Sequence, residues 1–409
     1  MPYRGTVSRI GRLAGVFALI SVLAVAGCAG LVEPPEPSAF YQIYPARVSG
    51  TPGEILRIEP YGNAPTGATA YRVLYSSRGL QDEPIAVSGI VVVPEGVVPE
   101  GGRPVIAWAH PTTGVAPRCA PTLATNVFDR IIGLSDMLAL GYVVAATDYP
   151  GMGTPGPHPY LVGVSEGRAV LDSVRAARRI PQAQAGSTFA VWGHSQGGQA
   201  SLFTGQLAAS YAPELKLAGV AAAAPATDLA QLLRDDISTK GGKVLTSFAL
   251  WSWNRVYDAP LDPVLDPAAR PTVDAIAANC IENLDQDLVI AGEEKKINEN
   301  FLHGDVTQIE PWKSLLARNS TGQAPAGAPV FLAQGTADTT VRPQVTFRFA
   351  QALCRKGTPV EFDWLPGVNH DLAAKDSAQT AVKWMEARIQ GLRAPNECRR
   401  LPAEPKASG

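Results

Sequence analysis

Two stretches of this 409-residue chain could hold a nucleophilic serine. Residues 191–200 read VWGHSQGGQA, residues 161–169 read LVGVSEGRA, and both contain G-x-S-x-G. That pattern belongs to a sharp strand-to-helix turn that presents a serine hydroxyl for attack on a carbonyl carbon. The turn forces the serine into a strained backbone conformation, so its neighbours must be small. Ser195 meets these demands. STFAVW (187–192) is a strand that delivers it, Gly193 and Gly197 flank it, and Gly198 and Ala200 follow as a helix departs. The start of that helix also aims free amides at the point where negative charge develops. Ser165 meets them poorly. The residues before it, GTPGPHPYLVG, are loop-like, and its neighbour Glu166 would put a carboxylate beside a developing oxyanion. Ser165 reads better as a cap near the start of a helix through Arg178.

A serine needs a base, and the base needs an orienting acid. Of five histidines, His370 in LPGVNHD follows the last strand, on the edge where strand ends gather. His194 adjoins Ser195, but adjacent side chains diverge at a tight turn, so it reads as structural. His110 ends a strand and reads as a brace for the loop after it. His158 sits in a Pro-rich loop and His303 in an inserted segment. For the acid, GTADTTV sets Asp338 directly after the strand APVFLAQG (328–335), and the chain order Ser, Asp, His suits the arrangement. Asp371 abuts His370, Asp363 lies within a strand, and Asp148 reads as a structural loop carboxylate. Two backbone amides must face the oxyanion. One is that of Gln196. The other comes from HPTTG (110–114), where Pro111 has no N–H, leaving Thr112 or Thr113, with Thr112 favoured.

The elements that position these groups alternate. YRVLYSS (71–77) and IAVSGIVVVP (85–94) form a hairpin at the start of a sheet. The further strands are VIAWAH (105–110), VVAATDY (143–149), STFAVW, LAGVAAAAPA, APVFLAQG and PVEFDWLP (359–366). Helical patterns lie between them: ATNVFDRIIGLSDMLALGY, SEGRAVLDSVRAARRI (165–180), GQASLFTGQLAASYA and, last, DLAAKDSAQTAVKWMEARIQGL. Alternation of this kind predicts an α/β fold with a mostly parallel central sheet and helices on both faces. It breaks once, over residues 226–315, which read as a helical cap inserted between two strands. The core then comprises residues 41–225 and 316–400, followed by a tail at 401–409. Within the cap, TSFALWSWNRVY (246–257) offers Phe248, Trp251, Trp253 and Tyr257 as the lining of an acyl tunnel or, at helical spacing, as the core of the cap itself.

Composition narrows the function. The net charge is −2 without a basic block, which argues against a nucleic-acid partner. Residues 1–27 read as a signal peptide, with Arg4, Arg9 and Arg12 before the apolar LAGVFALISVLAVAG (13–27). V-A-G-C at its end resembles a bacterial lipobox, which implies lipidation of Cys28 and a membrane anchor, with residues 28–40 as a tether. An ordinary signal peptide is the other reading, and either one exports the protein. Without Cys28, the even set Cys119, Cys280, Cys354 and Cys398 suits an oxidising compartment and permits three pairings. The spacing holds no metal motif, and no cofactor is expected.

Together, AHPTTGVAPRCAPT, TDYPGMGTPGPHPYLVG, GHSQGG, GTADTTV and GVNHD make the chain resemble the secretory lipase family of α/β-hydrolases over roughly residues 40–400. Carried across, the family's triad falls on Ser195, Asp338 and His370. The resemblance implies disulfides Cys119–Cys280 and Cys354–Cys398, and an ester or lipid substrate. It implies a lipase or broad esterase acting through an acyl-enzyme. An acyltransferase or peptidase using the same triad, or a non-catalytic lipid-binding lipoprotein, are the rival expectations. The oligomeric state is not legible.

Overall fold

The computed structural model describes residues 36–48, 50–281, 292–297 and 301–401. The expected signal peptide, Cys28, most of the tether and nearly all of the tail lie outside these residues.

Nine strands form one sheet: β1 (Ile55–Pro60), β2 (Ala68–Arg78), β3 (Pro84–Pro94), β4 (Arg103–Ala109), β5 (Val143–Thr147), β6 (Ala185–His194), β7 (Lys216–Ala223), β8 (Val330–Gly335) and β9 (Val360–Leu365). Their spatial order is β1-β2-β3-β5-β4-β6-β7-β8-β9. The first four in that order pair antiparallel, and every pairing from β5 to β9 is parallel. The helices of the α/β core are α1 (Leu134–Ala139), α2 (Gly163–Arg178) and α3 (Gln196–Tyr211). Between β7 and β8 the chain adds α4 (Leu229–Asp236), α5 (Lys240–Val256), α6 (Arg270–Ala277) and α7 (Trp312–Asn319). The closing helices are α8 (Pro343–Arg355) and α9 (Ala373–Ile389).

Strand residues alternate between two buried faces because successive side chains point oppositely. Val105, Ala107, Val143, Ala145, Phe189 and Val191 join α2, α3 and α8 in one cluster. Ile106, Trp108, Val144, Ala146, Ala190 and Trp192 join α1 and α9 in the other. The sheet is thus covered on both faces, which explains why its central strands read as unbroken apolar runs. Helices α4 to α7 enclose a third cluster, including Phe248, Trp253, Ile276, Phe301 and Trp312, which Val115, Tyr160 and Val162 join from the core. Helix α7 continues past residue 315, the expected end of the insertion.

Four local expectations need correction. A further strand, β1, pairs with β2 ahead of the expected hairpin. Residues 124–142 do not form one helix: a turn at Val127–Arg130 is followed by Gly133 at φ 85°, and only then by α1. Apolar Val127, Ile131, Leu134 and Met137 still face the core, so the burial pattern is helical while the backbone is not. Helix α8, begun by Pro343, was not expected. Ser165 does not cap α2; Val162 stands at that position, and Ser165 lies buried inside the helix.

Candidate active site

Strand β6 ends at His194 and α3 begins at Gln196, leaving Ser195 alone at the turn with φ 56° and ψ −116°. A non-glycine residue in that conformation costs about 1–3 kcal/mol and persists only where its surroundings enforce it. The surroundings are tight. A Cβ on Gly197 would stand 1.9 Å from the Ala109 carbonyl oxygen, and one on Gly193 would stand 2.2 Å from that of Gly197. Glycine at these two places lets α3 start against the end of β4.

The structure brings Ser195, His370 and Asp338 into one hydrogen-bonded line. His370 Nε2 lies 2.9 Å from Ser195 Oγ, and His370 Nδ1 lies 2.9 Å from Asp338 Oδ2. Asp338 is itself braced. Its Oδ1 accepts from the amides of Thr340 and Val341 at 2.9 and 2.8 Å, and its Oδ2 accepts from Gln334 Nε2 at 3.0 Å. Thr346 donates in turn to Gln334 Oε1 at 2.6 Å. Such fixing of Asp338 holds one imidazole tautomer, with Nδ1 carrying the proton and Nε2 free to accept from serine.

Three of the other histidines, His110, His158 and His194, are braces. His194 donates from Nε2 to the His370 carbonyl at 3.0 Å, and its ring lies 4.9 Å from that of His370. Burial, with the nearby His370, lowers its pKa to about 3, so the ring is neutral. His110 sits 2.6 Å from the Pro111 carbonyl and 3.3 Å from that of Asp148, under the loop after β4. His158 donates from Nδ1 to Pro150 and accepts at Nε2 from Gln196 Nε2 at 3.1 Å. His303 is exposed. Asp148 accepts from Ser88 and Thr122 and is fully buried, as a structural carboxylate would be.

Gln196 is the first residue of α3, so its backbone N–H has no carbonyl within the helix to serve. A cavity of about 620 Å³ opens on Ser195 and His370, and both Thr112 and Thr113 line it. Thr112 Oγ1 is 3.0 Å from the Tyr160 hydroxyl. Thr113 donates its hydroxyl to the Cys119 carbonyl at 2.8 Å and accepts at its own carbonyl from Ile281 at 2.9 Å. The disulfide Cys119–Cys280 and a bridge between Gly114 and Cys280 fasten this loop to the inserted helices. The second disulfide joins Cys354 to Cys398.

A second, smaller cavity of about 80 Å³ also reaches Ser195, walled by Leu229, Leu232, Leu233, Leu245 and Trp253. Of the four aromatics expected to line a tunnel, only Trp253 borders either cavity. Phe248 is buried against Tyr160, Trp251 lies under Arg255, and Tyr257 packs edge-on to Trp253. These three pack within the third apolar cluster.

The sequence reading takes Glu166 for a charged carboxylate and does not single out Asp236. Glu166 is fully buried and accepts at Oε1 from Gln196 Nε2 at 2.7 Å and from the Leu161 amide at 2.9 Å. Burial pushes its pKa from an ordinary 4.5 up to about 8, so at neutral pH it is an uncharged acid and does not oppose an oxyanion. Asp236 borders the smaller cavity. Its type was visible in the sequence, but its place inside the protein was not.

Comparisons with known proteins agree with this architecture. The family model described as secretory lipase matches residues 118–396. The secreted triacylglycerol lipase LIP7 of Malassezia globosa is 26% identical over 388 residues, covering 88% of this chain and 80% of that protein. Lipase A of Arthroderma benhamiae is 24% identical, covering 90% of this chain and 82% of its own. The X-ray structure of Candida antarctica lipase A in its closed state superposes with a TM-score of 0.75 at 18% identity, covering 92% of this chain and 91% of that one.

Proposed function

Because this chain belongs to the secretory lipase family, and is on that account a carboxylic ester hydrolase, we propose that Ser195, His370 and Asp338 carry the hydrolysis through an acyl-enzyme. The supporting observation is the hydrogen-bonded line from Asp338 through His370 to a serine held at φ 56°. Ser195 Oγ attacks the ester carbonyl as His370 Nε2 takes its proton. Asp338 stabilises the imidazolium that forms. The Gln196 amide and one from Thr112 or Thr113 stabilise the tetrahedral oxyanion. His370 then protonates the leaving alcohol, and water releases the acid by the same steps.

The secreted character of the family and the two disulfides support export. Within this reading, residues 1–27 direct export and Cys28 carries a lipid anchor. Helices α4 to α7 form the cap over the site. The substrate is an ester or lipid, as the name of the Malassezia globosa relative suggests.

The test is hydrolysis of chromogenic esters from short to long acyl chains, by the wild-type protein and by Ser195→Ala. Activity lost in the variant, together with labelling of Ser195 by a serine-directed phosphonate, is the expected result. Activity that survives in Ser195→Ala overturns the assignment.

A further inference from the structure

Asp236 is an acid in an unfavourable place. It is 6% exposed, and its Oδ1 has no hydrogen-bond partner. It ends helix α4, where the helix dipole disfavours negative charge. Arg342 and His370 compensate only in part, at a distance and without a hydrogen bond to its Oδ1. Arg342 donates to the Asp235 carbonyl at 3.0 Å and approaches the Asp235 carboxylate at 4.0 Å. Asp338 and His370 are engaged with each other. Thr239 donates its amide and its hydroxyl to the backbone carbonyl of Asp236, leaving the side chain unserved. Gly242 lets the next helix pass against this residue's backbone, since a Cβ there would stand 1.9 Å from the Asp236 carbonyl oxygen. Asp236 and Gly242 both border the small leucine-lined cavity that reaches Ser195.

A buried acceptor without a donor is costly unless a ligand supplies the donor. We propose that this cavity binds a short acyl group bearing a hydroxyl, whose O–H donates to Asp236 Oδ1 while the ester carbonyl sits at Ser195. The inference rests on Ser195 being the nucleophile, as argued above. The leucines accept the carbon chain, and the carboxyl distinguishes a hydroxyacyl group from a plain one. Burial, with the charge of Asp235, pushes the Asp236 carboxyl up to about 7, and Oδ1 can accept in either protonation state. Sites built around a substrate hydroxyl discriminate far more strongly than apolar pockets do, because a substrate lacking the hydroxyl leaves the protein group unpaired.

The test uses ethyl esters of butanoic and hexanoic acids, plain or with one hydroxyl at each carbon from C2 outwards. The wild-type protein is expected to favour the hydroxylated ester at one position by about tenfold or more in kcat/KM. Two variants without an acceptor, Asp236→Leu and Asp236→Val, guard against either one failing to fold. Each is expected to lose or invert the preference, whereas Asp236→Asn, which keeps a carbonyl oxygen, retains it. No preference at any position, or a preference that survives in the Leu or Val variant, overturns the proposal. If the wild-type protein cleaves no ester, or Ser195→Ala remains active, the assignment of the nucleophile has failed instead.

Discussion

Replacing Glu166 by glutamine should stabilise the protein as pH rises, with no effect in acid. Glu166 is fully buried, and its carboxyl titrates near 8 in the folded protein against an ordinary 4.5. Desolvation is the main cause; the hydrogen bonds from Gln196 and Leu161 only partly oppose it. Below pH 4.5 both folded and unfolded chains hold the proton, and the full stability is present. Between 4.5 and about 8 only the folded chain holds it, so stability falls as pH rises through that window. At about 1.4 kcal/mol per pH unit, the whole window amounts to about 5 kcal/mol. Glutamine keeps the oxygen that serves Gln196 and Leu161 and never ionises, so Glu166→Gln escapes the loss. Other buried acids titrate nearby, Asp148 and Asp172 both near 6, but the difference between variant and wild type cancels them. The assay is urea unfolding followed by tryptophan fluorescence at half-unit steps from pH 4 to 9. The two curves should coincide at pH 4 and separate steadily, reaching a gap of about 5 kcal/mol near pH 8 that then stays constant. Parallel curves across the window, or a variant less stable than wild type at pH 8, would refute the reasoning.

Two further outcomes follow from the geometry of the elbow and the relay. Asp338→Asn removes the anionic acceptor that holds His370 in the tautomer with Nδ1 protonated; kcat should fall about 10⁴-fold with KM little changed, by steady-state kinetics on a short-chain ester. A fall of less than tenfold would mean that Asp338 does not orient His370. Gly197→Ala drives a methyl to within 1.9 Å of the Ala109 carbonyl oxygen and 2.6 Å of that of His110, both backbone atoms. The variant should lose about 3 kcal/mol of stability, and at least about 10²-fold in kcat from displacement of the elbow, measured by thermal unfolding and by activity per phosphonate-titrated site. A variant matching the wild type in both would show that the elbow is looser than these distances imply.

The parts of the fold legible in sequence were those where one residue type has one use. The glycines around Ser195 are needed because helix α3 starts against the backbone of β4. Asp338 and His370 could be picked because each follows a strand that had to end on the same edge. Strand β1, ILRIEP, alternates weakly and is only half-buried, so it lacks the apolar run that marked its neighbours. The residues from Val127 to Met137 have helical burial spacing, yet Gly133 in the left-handed region breaks the backbone between them. Ser165 and Glu166 sit in a pattern that proposes a nucleophile, and burial inside α2 gives them another place. Glu166 and Asp236 show the limit most plainly. A carboxyl group in a sequence is read as charged and solvated, and only its packing reveals that it is enclosed.

The two disulfides divide the covalent chain into closed rings. One ring runs from Cys119 to Cys280 and contains Ser195; the other runs from Cys354 to Cys398 and contains His370. Asp338 belongs to neither and lies on the open stretch between them. A protease that nicks either ring once leaves the molecule in one covalent piece, with Ser195 and His370 still tied to their own strands. Between Cys119 and Cys398, a single cut divides the chain only within residues 281–353, the stretch that carries β8 and Asp338. Of the three residues proposed for catalysis, Ser195 and His370 therefore lie within closed covalent rings, while Asp338 lies on a stretch that packing alone holds in place.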